Sequence, residues 1–255
     1  MGDVQYQPQM QVPIFDINLH DVPRTKHCLV VDLDHTFVST NKYYDEIRRL
    51  DTSSIESRTC SRDSLDCAKF LEVKKRLYDV HTIDSVSALG SGIQQSYWGV
   101  ERPLTQNFLP MADIYFDIIA VRSAGVNEYV HSISDHLFRN IRRPVLVLDR
   151  LHVDFDKGNN VIKPLTRMYE HCQFHYGECN ANFSKFHTFV LDDTASTFRQ
   201  NPENGILIPP YEPGNDIESL AKPDDALLKL ARWLLLEPVV KSEDVRHLDK
   251  SRIFN

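Results

Sequence analysis

A chain of 255 residues, 42% apolar and 25% charged, accommodates one domain with an insertion, or two small domains, and can bury a sizeable core. Its net charge of −7 argues against broad nucleic-acid binding, and no apolar run approaches the roughly 18 residues of a membrane span. Five cysteines (Cys28, Cys60, Cys67, Cys172 and Cys179) are an odd number in a long chain, which predicts reduced thiols and an intracellular protein, cytoplasmic or nuclear.

Residues 1–24 are polar, with few periodic apolar positions and no charged-then-apolar leader pattern, and read as an N-terminal arm. Leu29-Val30-Val31 is an unbroken apolar run that reads as a buried strand of a parallel sheet. It runs into Asp32-Leu33-Asp34, followed by Thr36. Between 41 and 92 the composition turns polar and charged, from Asp45-Glu46-Ile47-Arg48-Arg49 to Gly90-Ser91-Gly92. A helical pattern at Phe70, Leu71, Val73 and Leu77 lies inside it, so the stretch reads as an insert, either a cap or a substrate-recognition subdomain. Cys60 and Cys67 lack a second pair at zinc-ribbon spacing and read as thiols.

Tyr97-Trp98-Gly99-Val100 reads as a short strand, and Arg102-Pro103 opens a helix with Phe108, Leu109, Met111 and Ala112 on its buried face. Asp117 to Val121 is a second buried strand, ending in Arg122-Ser123-Ala124-Gly125. A helix through Val126, Tyr129, Val130, Ile133 and Leu137 follows. Pro144 to Asp149 is a third strand, ending in Arg150, and Asp156 to Asn160 is a turn. A helix runs from Pro164 to Tyr176. His171, His175 and Cys179 are spaced i, i+4, i+8, but Gly177 interrupts them and no fourth ligand follows, so a mixed helix face is favoured over a zinc site. Phe186 to Leu191 is a fourth strand, ending in Asp192-Asp193. Ile206-Leu207-Ile208 is a further short strand, and a last helix carries Ala226, Leu227, Leu230, Ala231 and Leu234. Residues 25–238 then form the main domain and the charged residues 239–255 a tail.

Strands alternating with helices predict a doubly wound parallel sheet with helices on both faces. Four successive strands end in polar groups: Asp32/Asp34, Ser123, Asp149/Arg150 and Asp192/Asp193. Ligands bind at that carboxyl edge in open α/β sheets. Asp32, Asp34, Asp192 and Asp193 would bring up to four carboxylates together, an all-oxygen set suited to Mg²⁺ completed by a phosphate. Ser123 could donate to a phosphate oxygen and Lys163 could neutralise its charge.

The same residues carry a resemblance. Asp32-Leu33-Asp34-His35-Thr36-Phe37-Val38 resembles motif I of the haloacid dehalogenase (HAD) superfamily, and more narrowly that of the FCP/SCP, or NLI-interacting-factor-like, phosphatases. Arg102-Pro103, the strand ending in Ser123-Ala124, Gly158-Asn159 with Lys163 and Leu165, and Val190-Leu191-Asp192-Asp193 are similar to that group's later motifs, in order. The resemblance implies a Rossmann-like HAD fold with an insertion after motif I. It also implies a Mg²⁺-dependent phosphatase acting through an aspartyl-phosphate, most readily on phosphoserine or phosphothreonine of a protein. Asp32 would be the nucleophile and Asp34 the acid–base. Mg²⁺ would be held by the Asp32 carboxylate, the Asp34 backbone carbonyl and one or both of Asp192 and Asp193. Ser123, Lys163 and Thr36 would hold phosphoryl oxygens. Arg150 would contact the substrate, or be a surface arginine. Two departures stand out: His35 replaces an acidic residue, and Asp193 stands where small members often carry Asn. A small-molecule phosphatase, or a scaffold that retains the fold, are the alternatives.

Overall fold

A computed structural model describes residues 13–41, 65–83, 92–176, 182–214 and 217–255. Its centre is a five-stranded parallel sheet in the order β10-β9-β1-β5-β6. These strands are β1 (Cys28–Val31), β5 (Ile118–Arg122), β6 (Leu146–Leu148), β9 (Thr188–Asp192) and β10 (Gly205–Leu207). β1 lies in the middle, in register with both neighbours: Val31 pairs with Val121 on one side and Leu191 on the other. All four β1 residues are buried, which is why the strand reads as a continuous apolar run.

Alternate side chains of β1 feed two cores, as the two-residue period requires. Leu29 and Val31 join Ile119, Val121, Phe189 and Leu191 on one face. That face is covered by α2 (Thr105–Tyr115), α3 (Asn127–Leu137) and α6 (Ala226–Leu234), through residues such as Phe108, Ile133 and Leu230. Cys28 and Val30 face the other way, onto Leu165 and Met168 of α4 (Leu165–Tyr176). Helices therefore cover both faces, as the alternating pattern predicts.

A second sheet departs from that pattern. β2 (Val38–Asn41), β3 (Leu77–Ile83) and β4 (Gln94–Glu101) form an antiparallel sheet in the order β2-β4-β3, with α1 (Leu65–Arg76) leading into β3. The 97–100 strand expected from sequence is thus the end of an eight-residue strand in a separate sheet. β2 escaped notice because its four residues are mostly polar, and its pairing is made by backbone groups that any side chain permits. The expected helix at 70–77 is α1, running straight into β3. Asp45 to Arg49, Cys60 and Gly90-Ser91 lie outside the described residues.

A small hairpin of β7 (Asp154–Phe155) and β8 (Val161–Ile162) encloses the expected turn. Asp156 Oδ1 accepts the backbone N–H of Gly158 (2.8 Å) and of Asn160 (2.9 Å). Asn159 takes a left-handed φ of 61° there, which asparagine tolerates well.

Three further expectations are corrected. The 239–255 segment is not a free tail: Val239, Val245 and Ile253 are buried in the main core, beside a short helix α7 (Glu237–Val240). Its charges conceal the anchors, because the apolar residues are too widely spaced to show a period. Lys250 Nζ donates to the carbonyls of Glu203 (2.7 Å), Val245 (2.6 Å) and Leu248 (3.3 Å). Part of the N-terminal arm also packs down, through Val22 with Phe15 and Ile17. Finally, Cys172 is disulfide-bonded, so the reading of uniformly reduced thiols does not hold. Cysteine spacing alone could not foresee this, since a bridge depends on where two Cβ atoms meet. Cys28 is a free, buried thiol. No described helix is long and apolar enough to cross a membrane.

Two buried polar contacts lock the domain. Arg102, 1% exposed, pairs its Nε and Nη2 with the two oxygens of Asp224 at 2.9 Å each, and its Nη1 donates to the Thr36 carbonyl at 3.3 Å. This clamp ties the segment before α6 to the turn after β1. Replacing Asp224 by Ala should lower stability by about 2–3 kcal/mol in urea denaturation, less than the roughly 3–5 of a fully buried pair, because Asp224 is 21% exposed.

His27, wholly buried, sets Nε2 2.9 Å from the Val239 carbonyl, so the neutral ring carries its proton on Nε2. Its Nδ1 has no partner among the described residues. Burial holds His27 below the usual histidine range, with nearby His187 and Lys26 adding to it against the Val239 carbonyl and Glu243. The unfolded chain therefore binds more protons, and stability falls as pH drops below the unfolded value of about 6.5. His27→Gln, which can still donate to Val239, should shrink the drop in Tm between about pH 7.5 and about pH 5.5. An unchanged drop would rule His27 out as its source.

Candidate active site

β1, β5 and β9 end side by side, so the residues just past them share one edge. Asp32 follows β1, Ser123 follows β5, and Asp192 closes β9. With Asp34, Lys163 and Asp193 they line a cavity of about 570 Å³. The turn 156–160 contributes Asn159 and Asn160 to its rim.

Lys163 is the centre of the cavity floor. It is 5% exposed, and its Nζ lies 2.5 Å from Asp32 Oδ1 and 2.8 Å from Asp192 Oδ2. Its backbone N–H donates to the Thr197 carbonyl (2.6 Å), anchoring the loop between β8 and α4. The neighbouring Pro164 carbonyl is held by Arg122 Nη1 at 2.5 Å, and Arg122 Nη2 donates to the His152 carbonyl at 2.7 Å. Arg122 is itself 1% exposed and braces the lysine loop from beneath.

The carboxylates are crowded. Asp32, Asp192 and Asp193 can each present one oxygen such that all three lie within 4.8 Å of one another. Burial pushes Asp32 above the usual carboxylate range; Lys163 opposes this and Asp192 adds to it. Burial alone would pull Lys163 down, but its two carboxylates outweigh that and hold it above its ordinary value. Burial, then Asp192, also raise Asp193. Three converging carboxylate oxygens that repel one another in a buried edge are a donor set that fits a hard divalent cation such as Mg²⁺. The remaining support is local. Asp192 Oδ1 accepts the Thr194 N–H (2.9 Å), and Ser123 Oγ accepts the Gly125 N–H (3.1 Å). The Ser123 hydroxyl proton is left to donate elsewhere.

Asp34 stands apart from this cluster. Its Oδ1 accepts the hydroxyl of Tyr129, on α3. Burial raises its pKa, more than the Tyr129 contact lowers it. Asp34 also lines a second cavity of about 420 Å³, which shares Asp34, His35, Ala124 and Gly125 with the first and is walled by Thr82, Gln95 and Tyr97 of the antiparallel sheet. The two form one crevice, with Asp34 at the junction.

The structure brings together Asp32, Asp34, Ser123, Lys163, Asp192 and Asp193. It separates two others. Thr36 is wholly buried, lines neither cavity, and its hydroxyl has no partner among the described residues. Arg150 is exposed on the wall of the second cavity, away from the Lys163 cluster. Asp149 does not face the crevice either: its carboxylate is taken by Asn127 Nδ2 (2.7 Å), the Leu151 N–H (2.8 Å) and His152 (2.9 Å). Tyr129 and Arg122 were missed. Tyr129 sat within the apolar period of a helix, and Arg122 read as a strand terminus. His171 borders a separate hollow on α4, while the side chain of His175 and all of Cys179 lie outside the described residues.

A family model described as NLI interacting factor-like phosphatase matches residues 27–246. The chain belongs to this family. The match spans both sheets and every crevice residue named above, so the resemblance carried by motif I extends across the fold. Two solved structures are similar at 18% identity and a TM-score of 0.49, each covering 76% of this chain: the fission yeast RNA polymerase II CTD phosphatase Fcp1 bound to beryllium fluoride, and Fcp1 described as an essential RNA polymerase II CTD phosphatase. The chain covers 43% and 44% of their lengths. No curated protein matches it.

Removing the shared cation should expose how much the cluster depends on it. Lys163→Met leaves Asp32 and Asp192 buried without a counter-charge, and should lower stability by about 3–5 kcal/mol in urea titrations. A change under about 1 kcal/mol would show that the lysine does not hold the carboxylates together.

Proposed function

We propose that this chain is a Mg²⁺-dependent phosphatase that works through an aspartyl-phosphate on Asp32 and acts on phosphoserine or phosphothreonine in a protein. The observation that carries the reading is the convergence of Asp32, Asp192 and Asp193 around Lys163 at the edge of a parallel sheet. Membership of a phosphatase family supports it.

In this reading an Asp32 oxygen attacks phosphorus, forming the acyl-phosphate bond while the ester P–O bond breaks. Asp34 gives its proton to the departing alkoxide, a role its raised pKa suits. Asp34 then takes a proton from the water that attacks the same phosphorus, and Asp32 and inorganic phosphate are released. Lys163 and Ser123 hold phosphoryl oxygens, as a buried cation and a hydroxyl donor. Thr36 is left out of that set because its side chain does not line the crevice. Asp32, Asp192, Asp193 and the Asp34 carbonyl would hold Mg²⁺. When bound, the ion offsets the charge of the phosphoryl group and of the crowded carboxylates.

The protein substrate rests on the group the motifs resemble. The second cavity supports it, since it extends the crevice beyond the phosphate position between α3 and the antiparallel sheet, with Arg150 on its wall. Residues 41–92 are the insert in this reading, and its strand β3 builds that wall together with β4, which follows the insert.

The test is turnover of 4-nitrophenyl phosphate and of phosphoserine peptides with and without Mg²⁺. Asp32→Asn should cut kcat by about three orders of magnitude or more. Mg²⁺ should also raise the Tm of the wild type by mass action, and Asp193→Asn should reduce that rise. A wild type inactive on both substrates, or an Asp32→Asn variant as active as wild type, would overturn the mechanism.

A further inference from the structure

The antiparallel sheet reaches the acid–base residue through a line of hydroxyls. Tyr129 OH touches Asp34 Oδ1 and lies 2.7 Å from Thr40 Oγ1. Thr40 Oγ1 is in turn 2.5 Å from Tyr78 OH. Thr40 is on β2 and Tyr78 on β3, while Tyr129 is on α3 of the parallel-sheet domain. Tyr78 and Tyr129 are buried, at 5% and 6% exposure. The Tyr129 ring is also flanked by Tyr97 of β4, with centroids 4.9 Å apart.

Proton counting orders this line. Each hydroxyl has one proton to donate. A carboxylate oxygen is the strongest acceptor available to Tyr129, so its proton goes to Asp34. Thr40 then donates to Tyr129, and Tyr78 to Thr40. Every hydroxyl donates once, and Asp34 Oδ1 receives the last bond. Space for the line is built in. A Cβ at Gly99 on β4 would lie 2.3 Å from the Tyr78 hydroxyl and 2.7 Å from the Ser39 carbonyl, so only glycine lets the phenol through.

We infer that Tyr129, aligned by Thr40 and Tyr78, is a positioning residue for Asp34: it occupies Oδ1 and so assigns the transferable proton to Oδ2. The inference rests on the phosphatase reading, since it concerns the acid step of that reaction. It makes the antiparallel sheet part of the catalytic apparatus and not only a wall of the crevice. An oxygen that accepts the Tyr129 proton cannot at the same time donate one of its own along that line. Asp34 Oδ2 is the oxygen that Tyr129 does not touch, and it is left to carry the proton. A carboxyl without this contact can present either oxygen, or turn away from the leaving group.

Leaving-group dependence tests the role. Phenyl phosphate and 4-nitrophenyl phosphate have nearly the same shape, but only phenoxide needs a proton to depart readily. In the full 255-residue chain, Tyr129→Phe should lower kcat/KM for phenyl phosphate about ten- to a hundredfold and for 4-nitrophenyl phosphate less than about threefold. Thr40→Val should show the same split at smaller size, and Thr40→Ser should restore wild-type values. Asp34→Asn supplies the deepest form of the split for comparison. Equal losses on both substrates would assign Tyr129 a general structural role and overturn the inference. So would no loss on either, or a Thr40→Ser variant as impaired as Thr40→Val. A wild type that turns over neither substrate would overturn the phosphatase reading, and the positioning role with it.

Discussion

The Lys163 ammonium sits between two buried carboxylates, and the arrangement of the crevice follows from that contact. Asp32 and Asp192 leave adjacent parallel strands, so their Cα atoms are held close by backbone pairing whatever their charge. Without a cation between them the ends of β1 and β9 would carry uncompensated like charges in a dry environment. One lysine on a separate loop, 2.5 and 2.8 Å from the two oxygens, offsets both. The loop is fixed by the Thr197 and Pro164 carbonyls, and through Pro164 by the buried Arg122. A small electrostatic knot thus joins three strand ends and one loop.

That knot leaves a net negative charge, because Asp193 joins Asp32 and Asp192 while Lys163 supplies a single positive one. Three carboxylate oxygens brought this close are a donor set that a divalent cation fits. Asp34 is kept out of the cluster by its bond to Tyr129. Two carboxylates only two residues apart in the chain therefore meet different surroundings: one faces a cation, the other a phenol. Both residues owe that difference to contacts from distant parts of the chain, and the proposed split between nucleophile and acid–base rests on it.

The antiparallel sheet and the C-terminal segment show how the domain is held around the crevice. The sheet is tied to the parallel domain by Glu101 at the end of β4, which pairs with His136 (2.7 Å) of α3 and Arg139 (2.9 Å) just beyond it. The C-terminal segment closes the opposite side, where His27, just before β1, holds the Val239 carbonyl. Arg102, just past β4, joins the segment before α6 to the turn that follows Asp34, through Asp224 and the Thr36 carbonyl. Each of these is a polar pair with at least one member almost wholly buried, so each fixes one geometry more firmly than apolar packing would.

Much of this was legible in the sequence. Continuous apolar runs at Leu29–Val31, Ile118–Val121 and Phe189–Leu191 have a strong composition, because a central parallel strand is buried on both faces. The carboxylates and the serine follow those runs directly, so their meeting at one edge came from topology alone. Contacts between residues far apart were not legible. β2 was hidden because its pairing is made by the backbone. The anchors at Val245 and Ile253 were hidden among charges, and Tyr129 was disguised by the very period that marked its helix. Asp149 and Thr36 stood in the right order along the chain, yet neither lines the crevice, and Arg150 lines only its outer part. The sequence by itself determined the order of strands and the chemistry gathered at their ends, since local burial and connectivity suffice for that. Only the tertiary structure decided which side chain meets which, and hence that Asp32 meets a lysine and Asp34 a tyrosine, because an oxygen's partner depends on distances that no spacing along the chain can state.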